Sequence, residues 1–91
     1  MAADLVLVEW VDAHSRAEWR DIADAIKEHE PIKCFNVGWI LKRDQQGMTL
    51  YSSLNSTNDV SELIFIPAGM IKKVTVLKKA RKQLGKDRKA K

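Results

Sequence analysis

The side chains that could act as nucleophiles, general bases or metal ligands are few in this 91-residue chain. The two histidines, His14 and His29, and the single cysteine, Cys34, are separated by fifteen and five residues. Nucleophilic catalysis needs a serine or cysteine beside a histidine and a third group that orients the histidine. A metal site needs three or four ligands at workable spacing. These three residues match neither pattern, and Cys34 lies in an apolar run that favours a buried, small hydrophobic role.

The carboxylates near the histidines have a structural interpretation. Asp12, Asp21 and Asp24 lie beside or within a helical pattern, where carboxylates cap the first turn or face solvent. The four glycines are scattered along the chain, so the sequence has no glycine-rich loop that could hold a phosphate. The sequence therefore predicts a protein with no catalytic residue, no metal and no cofactor.

Positive charge is concentrated in the last part of the sequence. Residues 78–91 contain eight basic residues and one acid, a net charge of +7, whereas residues 1–77 contain eight basic and eleven acidic residues, a net charge of −3. We interpret residues 1–77 as one domain and residues 78–91 as a basic, flexible tail. The tail either solubilises the protein, binds an acidic partner protein or binds nucleic acid by neutralising phosphates. The candidate phosphate ligands are Lys78, Lys79, Arg81, Lys82, Lys86, Arg88 and Lys89.

Composition points to a cytoplasmic protein. The single cysteine cannot form an internal disulfide, which fits a reducing compartment. No stretch approaches the roughly 18 consecutive apolar residues of a membrane span, and the N-terminus has no signal-peptide pattern. The expected location is the cytoplasm, with no membrane partner.

One strand and one helix are predicted before the main β-rich region. Alternation over residues 5–11 predicts a strand. Its core-facing side chains are expected to be Val6, Val8 and Trp10. Ser15 and Glu18 form a capping box, which predicts a helix over residues 15–30 that ends before Pro31. The apolar stripe of this helix consists of Trp19, Ile22, Ala23 and Ile26.

Residues 37–77 contain four short β-type runs separated by turn signals, which indicates a small antiparallel barrel or sandwich. The fold class is therefore mainly β with one N-terminal helix, an α+β protein. An irregularity is expected at residues 36–38, because a glycine inside a strand often marks a bulge or bend. The inward candidates of that strand are Cys34, Val37, Trp39 and Leu41.

The large rings are assigned by their place in the apolar pattern. We expect the three tryptophans, Trp10, Trp19 and Trp39, to be core anchors. Tyr51 faces opposite to its apolar neighbours and is a candidate for exposure. There it would stack on a base or pack in a subunit interface.

The turns divide the predicted strands. Residues 43–47 form a hairpin loop in which Gly47 is available for a positive φ. Residues 55–59 are a polar connector and the expected mobile loop. The run 62–66 is nearly continuous in apolar character, as in a strand covered on both faces by the core and by a neighbouring element or subunit. Residues 67–69 form a tight turn before a closing strand over residues 71–77.

One helix and five short, bent strands with a tight turn before the last strand resemble the Sm-like small barrel of the Sm and Hfq proteins. The segment of residues 63–77 stands where that family has its last two strands. The layout is also similar to a group of small bacteriophage proteins that have an early Trp-x-Asp-Ala element, a Val-Gly-aromatic strand start and a late Ile-Pro turn. Here these are Trp10–Ala13, Val37–Trp39 and Ile66–Pro67.

The resemblance implies a strongly bent antiparallel Sm-like barrel of five to six strands. It also implies a homo-oligomeric ring of five to seven copies joined through the last two strands. The interface residues would be Leu63, Phe65, Ile71 and Val74. The RNA-contacting Asp and Asn of the family have no convincing match in residues 44–48, and the family's Arg-Gly or Lys-Gly pair before the last strand is replaced by residues 67–70.

Two functions follow as hypotheses. The first is a non-enzymatic, ring-forming phage-type protein that binds RNA or single strands through the basic tail and near Tyr51. The second is an interaction or counter-defence protein that binds a host protein or sequesters a small nucleotide, for which loops 43–47 and 55–59 would matter. In both, a phage-encoded protein would act in the bacterial host cytoplasm.

Overall fold

The structure is a computed structural model and describes residues 3–80. One short helix and seven strands alternate with turns along this range. The elements, in chain order, are β1 (Leu5–Asp12), α1 (Ile22–Lys27), β2 (Ile32–Asp44), β3 (Gly47–Tyr51), β4 (Ser53–Leu54), β5 (Val60–Ser61), β6 (Ile64–Pro67), a 3₁₀ turn (Ala68–Met70) and β7 (Ile71–Lys78). The prediction of a mainly β chain with one N-terminal helix, an α+β protein, is confirmed.

Five strands form one antiparallel sheet in the order β6-β3-β2-β1-β7. The strand that comes first in the chain, β1, lies inside the sheet between β2 and β7. The two edge strands, β6 and β7, are consecutive in sequence and are connected only by the 3₁₀ turn. The strand pairings of residues 3–80 leave the sheet open between these two edges.

The core lies on one face of this sheet. Val6 and Val8 of β1 and Met48 of β3 have no exposed surface, and Ile66 of β6 is equally buried. Trp10 packs against this cluster from the end of β1. Its indole Nε1 donates a hydrogen bond of 2.7 Å to Oδ1 of Asn36 on β2. The alternation predicted for β1 is therefore confirmed, with Trp10 at the margin of the core.

The inward face of β2 differs from the predicted one. Pairing between β1 and β2 runs without interruption from Leu5–Trp39 to Asp12–Ile32, and the irregularity lies between Ile40 and Lys42 in the β2–β3 pairing. The predicted bulge at residues 36–38 was therefore misplaced. Consequently Val37 and Leu41, predicted inward, are 52% and 38% exposed. The residues that face the core are Gly38, which is buried, and Ile40, which packs against the cluster.

Gly38 is needed because β2 and β3 approach each other closely at this position, and not because β2 has a bulge there. A Cβ atom on this residue would lie 2.9 Å from the backbone oxygen of Tyr51 and 3.2 Å from Cβ of Leu50. The glycine lets β2 and β3 come together over the core.

The helix is shorter than predicted. It covers six residues, and its N-cap is Asp21, whose carboxylate accepts a hydrogen bond from the Ala23 amide at 3.1 Å. The predicted start at the Ser15–Glu18 capping box was wrong because the segment before the helix folds back on the residue after it. Arg16 Nε lies 3.1 Å from the Glu28 carboxylate. In a continuous helix these two residues would be separated by roughly 18 Å.

The helix covers none of the core. It has no buried residue, and Ile22 and Ile26 are 77% and 68% exposed. Trp19, predicted to be a core anchor, lies before the helix and is fully exposed. Of the predicted apolar stripe, Ile22, Ala23 and Ile26 lie on the helix and are exposed, whereas Trp19 does not belong to it.

The polar connector at residues 55–59 is a hydrogen-bonded loop between β4 and β5. Oδ1 of Asn55 accepts hydrogen bonds from the Thr57 amide, the Thr57 hydroxyl and the Asp59 amide at 2.9–3.0 Å. Asn58 adopts a positive φ of 66°, a conformation that asparagine tolerates better than most residues. Side-chain bonds of this kind are the reason why Asn and Asp are common in turns.

Candidate functional site

The most distinctive polar surface of the described chain is a row of cations on β7. Lys72, Lys73 and Lys78 belong to this strand and Lys79 follows it, and all four are exposed. A strand rises roughly 3.3 Å per residue, so the row extends over roughly 20 Å. Because β7 is an edge strand, one side of the row is accessible along its whole length.

A β-bulge places two lysines next to each other in this row. Opposite β1, Glu9 pairs with Lys73 and Trp10 pairs with Ile71, so Lys72 is the extra residue of β7. In a regular strand, one of two consecutive side chains would face the core. The bulge allows both lysines to remain exposed while Ile71 packs against the core.

Lys72 and Lys73 also line a groove of about 500 Å³, and a third cation lines the same groove. Arg43, near the tip of the β2–β3 hairpin, lies across this groove from β7. The acid in the groove, Asp44, is engaged within the hairpin. Its carboxylate lies 3.8 Å from Nζ of Lys42 and accepts a hydrogen bond of 2.9 Å from the Gln46 amide.

We call Arg43, Lys72, Lys73, Lys78 and Lys79 the basic edge. None of the five forms an ion pair within 4 Å with another residue of the described range. The five cations outnumber the acids beside them, Glu9 opposite Lys73 and Asp44 in the groove, and this excess creates a local positive potential that attracts anions. Chemically, the basic edge can bind a polyanion.

The rest of the predicted tail lies outside the described residues. Of the seven predicted phosphate ligands, the structure places Lys78 and Lys79, which are exposed at the end of β7. The five that lie outside the described range are Arg81, Lys82, Lys86, Arg88 and Lys89.

Tyr51 is not at the surface. It is 2% exposed, and its ring stacks on the ring of Trp39 with a centroid distance of 5.7 Å and an interplanar angle of 28°. The two residues are paired across β2 and β3. The expectation of an exposed ring was therefore wrong, since an apolar partner covers the ring that would have stacked on a base.

The histidines line a different groove, of about 680 Å³, between α1 and the end of β1. His14 Nε2 lies 2.8 Å from the Glu30 carbonyl oxygen, which can only accept, so Nε2 is the donor. His29 lines the same groove, while Cys34 is half-buried on β2 with Sγ 3.8 Å from the Ile32 carbonyl oxygen. Residues 3–80 contain no cluster of three or more His, Cys, Asp or Glu side chains that could hold a metal ion.

The carboxylates near this groove have structural roles. Asp12 accepts a hydrogen bond from the Ala13 amide at 2.8 Å. Asp21 caps the helix, and Asp24 lies 3.8 Å from Nζ of Lys27. These contacts match the capping and solvent-facing roles expected from the sequence.

The predicted oligomer interface divides into two groups. Leu63 and Phe65 are 51% and 54% exposed at the β6 edge. Ile71 and Val74 are half-buried and pack against the core of their own chain. The predicted ring stays a prediction.

The sequence analysis did not select Arg43, Lys72 or Lys73 as phosphate ligands, although residue 43 belongs to a loop that the second hypothesis considered. A signal for the two lysines is present in the sequence, because two consecutive charged residues interrupt the apolar alternation of residues 71–77. Such an interruption indicates a bulge. No local signal brings Arg43 to them, because their proximity depends on the order of strands in the sheet.

Within residues 3–80, no helix has the length and apolar character needed to cross a membrane. Comparison of the chain with family models, with curated proteins and with solved structures found no match.

Proposed function

We propose that this protein is a non-enzymatic module that binds RNA or single-stranded DNA through the phosphate backbone, with the basic edge as the folded part of its binding surface. One observation carries the proposal. Five cations are exposed along β7 and the β2–β3 hairpin, three of them line one groove, and none forms an ion pair within 4 Å with a described residue. The basic residues beyond position 80 extend the same charge.

The chemistry of the basic edge favours binding without sequence preference. Lysine ammonium groups and an arginine guanidinium contact phosphates and release condensed counterions, which gives affinity that falls as salt rises. Phosphate contacts position a nucleic acid and do not read its bases. Trp39 on β2 and Tyr51 on β3 stack on each other. Base stacking on these two rings would therefore not contribute to binding at the basic edge.

An edge strand rich in lysine also has a purely structural explanation. Lysines on an edge discourage the pairing of that edge with another chain. This explanation accounts for lysines along β7 but gives no reason for Arg43 to face Lys72 and Lys73 across a groove. The two explanations predict different results in a binding experiment.

The test is titration of a fluorescent single-stranded oligonucleotide with the full chain at several salt concentrations. The double variant Lys72→Gln/Lys73→Gln removes two phosphate ligands. We expect about 10-fold weaker binding and a slope of log K against log salt that is smaller by about 1.4, or 0.7 for each lost contact. The matched control is Lys27→Gln/Lys33→Gln, which removes the same charge from exposed positions outside the groove. It should keep more of the affinity.

A truncation after Ala80 separates the basic edge from the remaining basic residues. The proposal requires the truncated chain to retain salt-dependent binding that Lys72→Gln/Lys73→Gln then reduces. Equal losses in the two double variants, or binding that disappears on truncation and is indifferent to the β7 lysines, would overturn the basic edge as the site.

A further inference from the structure

Two apolar surfaces of this chain have no cover within the described residues. The first, which we call the helix stripe, consists of Trp19, in the segment before α1, and of Ile22 and Ile26 on α1. These residues are 101%, 77% and 68% exposed. The second, the sheet patch, lies on the face of β1 and β2 opposite to the core. It consists of Leu7, Phe35 and Val37.

The helix stripe faces away from its own chain because of how the helix is held. Ala25 and Glu28 line the groove toward β1, together with Val11 and Met70. A small side chain and a charged one therefore face the body, while the two isoleucines do not. An amphipathic helix that covered its own sheet would show the opposite arrangement.

Ion pairs fix this orientation. The Glu28 carboxylate binds the guanidinium groups of both Arg16 and Arg20. These ion pairs hold the residues before α1 against the residue that follows it. The helix is therefore held beside the end of the sheet, and not over the sheet patch.

The sheet patch follows from the register of the sheet. Val6 and Val8 face the core, so Leu7 faces the other side, and it pairs directly with Val37 of β2. Residues i and i+2 of a strand share a face, which places Phe35 beside this pair. Phe35 and Val37 are 64% and 52% exposed, and Leu7 is half-buried between its neighbours.

We propose that the helix stripe of one copy docks on the sheet patch of a second copy, and that the exchange is reciprocal about a twofold axis. Stable domains bury the apolar stripe of a helix against another apolar layer. In a single copy, the helix stripe and the sheet patch do not pack against each other. A reciprocal pair covers both of these surfaces on both copies and leaves the apolar residues at the β6 edge, Leu63 and Phe65, outside the contact.

The available area matches a specific dimer. The exposed fractions of these side chains amount to roughly 600 Å² on each copy and roughly 1,200 Å² in the pair, taking roughly 250 Å² for a tryptophan and smaller values for the others. Standard interfaces bury roughly 1,200–2,000 Å². A fully exposed tryptophan at the centre of such a contact is a typical energetic anchor.

This contact is distinct from the basic edge and from the predicted ring. The ring would use β6 and β7, with Leu63 and Phe65 at the interface, whereas the pair uses α1 and the outer face of β1 and β2. The reciprocal dimer therefore predicts that substitutions in the helix stripe or the sheet patch, and not at Leu63 or Phe65, dissociate the protein.

The test is the mass of the full chain in solution, measured by light scattering over a dilution series, for three variants. Trp19→Lys disrupts the helix stripe and Phe35→Glu disrupts the sheet patch. Leu63→Ser is the matched control, an exposed apolar side chain outside both surfaces. We expect a dimer for the wild type and for Leu63→Ser, and a monomer for each of the other two.

Mixing the two disrupted variants gives the sharper result. A mixed pair contains one intact contact, formed by the helix stripe of Phe35→Glu and the sheet patch of Trp19→Lys. The mixture should therefore associate at a lower total concentration than either variant alone, and less tightly than the wild type, which has two intact contacts. A helix-to-helix contact would leave Phe35→Glu dimeric, and that outcome would overturn the proposal.

Two further results would also overturn it. One is a wild type that stays monomeric up to its solubility limit. The other is a larger assembly that survives both substitutions and dissociates with Leu63→Ser. Far-UV circular dichroism of each variant checks the fold, and Ile26→Ser and Val37→Thr provide a second pair of milder substitutions if either charged variant fails to fold.

Discussion

At the scale of single residues, Gly47 is the described glycine with the least room for a side chain. It begins β3, has a φ of +154° and is buried. A Cβ atom on it would overlap the backbone oxygen of Ile66 and would lie 2.9 Å from Cζ of Phe65. The ring of an exposed edge residue thus lies over a glycine, which connects the β2–β3 hairpin to β6.

We expect Gly47→Ala to lower the free energy of unfolding by at least about 3 kcal/mol, because it combines a clash with backbone oxygen and a strained φ. Gly69→Ala is the matched control. Gly69 lies in the 3₁₀ turn with no atom within 4 Å of a Cβ placed there, so its change should stay within about 1 kcal/mol. Urea unfolding of the two variants measures the difference. Equal stability of both would show that β6 adjusts its position over Gly47 at little cost.

The sequence predicted the positive φ of Gly47 but not the ring of Phe65 that covers it. A glycine at the end of a polar hairpin loop indicates a positive φ, and that prediction for Gly47 is confirmed. The ring of Phe65 over it follows from the β3–β6 register, in which Gly47 pairs with Pro67 and Thr49 pairs with Phe65. Register between strands separated by a second hairpin is not encoded in local spacing.

At the scale of elements, α1 is the part of the described chain with the least support from packing. Six residues are too few for a stable isolated helix in water. None of the six is buried, so in a single copy the helix depends on its Asp21 cap and on the ion pairs of Glu28. Segments with few buried contacts open locally without global unfolding.

We therefore expect Glu28→Gln to accelerate hydrogen exchange of the α1 amides about 3- to 10-fold while global stability changes by less than about 1 kcal/mol. Exposed ion pairs contribute little to global stability, and the two lost here hold only a peripheral segment. The control is Glu18→Gln, which removes a single 3.7 Å contact of Arg16. Exchange is measured at low protein concentration, and the β1 amides serve as the reference. If Glu28→Gln accelerated exchange of the β1 amides as much as that of the α1 amides, α1 would not open independently of the sheet, and the prediction would be wrong.

The difference between the predicted and observed helix has the same physical origin. The capping box and the apolar spacing are real features of the sequence, and they favour a helix over residues 15–30 when considered locally. Arg16 and Arg20 instead bind a carboxylate that lies eight to twelve residues later. Local pattern cannot weigh these contacts against helix formation, because they require the chain to turn back on itself.

At the scale of the whole molecule, the sequence predicted the number and approximate limits of the main strands better than their arrangement. Apolar alternation located β1 and β7, and turn residues located the hairpin between β2 and β3. The placement of β1 between β2 and β7 was not predictable in this way, because it joins residues more than sixty positions apart. The basic edge depends on that arrangement, which is why three of its five members were missed.

The pairing of β1 with β7 also brings the two limits of the described chain together. Leu5 pairs with Lys78, and the Asp4 carboxylate accepts a hydrogen bond of 2.7 Å from the Ala80 amide. The chain between these residues is therefore close to a closed loop, and closed loops tolerate circular permutation where the new break lies in a surface turn.

A permuted protein in which a short Gly-Ser linker joins residue 80 to residue 4, with new termini between Ser56 and Thr57, should retain the five-stranded sheet. That break falls in the β4–β5 loop, outside this sheet. A break between Asn36 and Val37 is the control and should abolish folding, because it cuts β2 within its ladder to β1. Circular dichroism and thermal unfolding distinguish the two. Retention of the sheet in the permuted protein would show that the order in which the strands are covalently joined is separable from the order in which they pair.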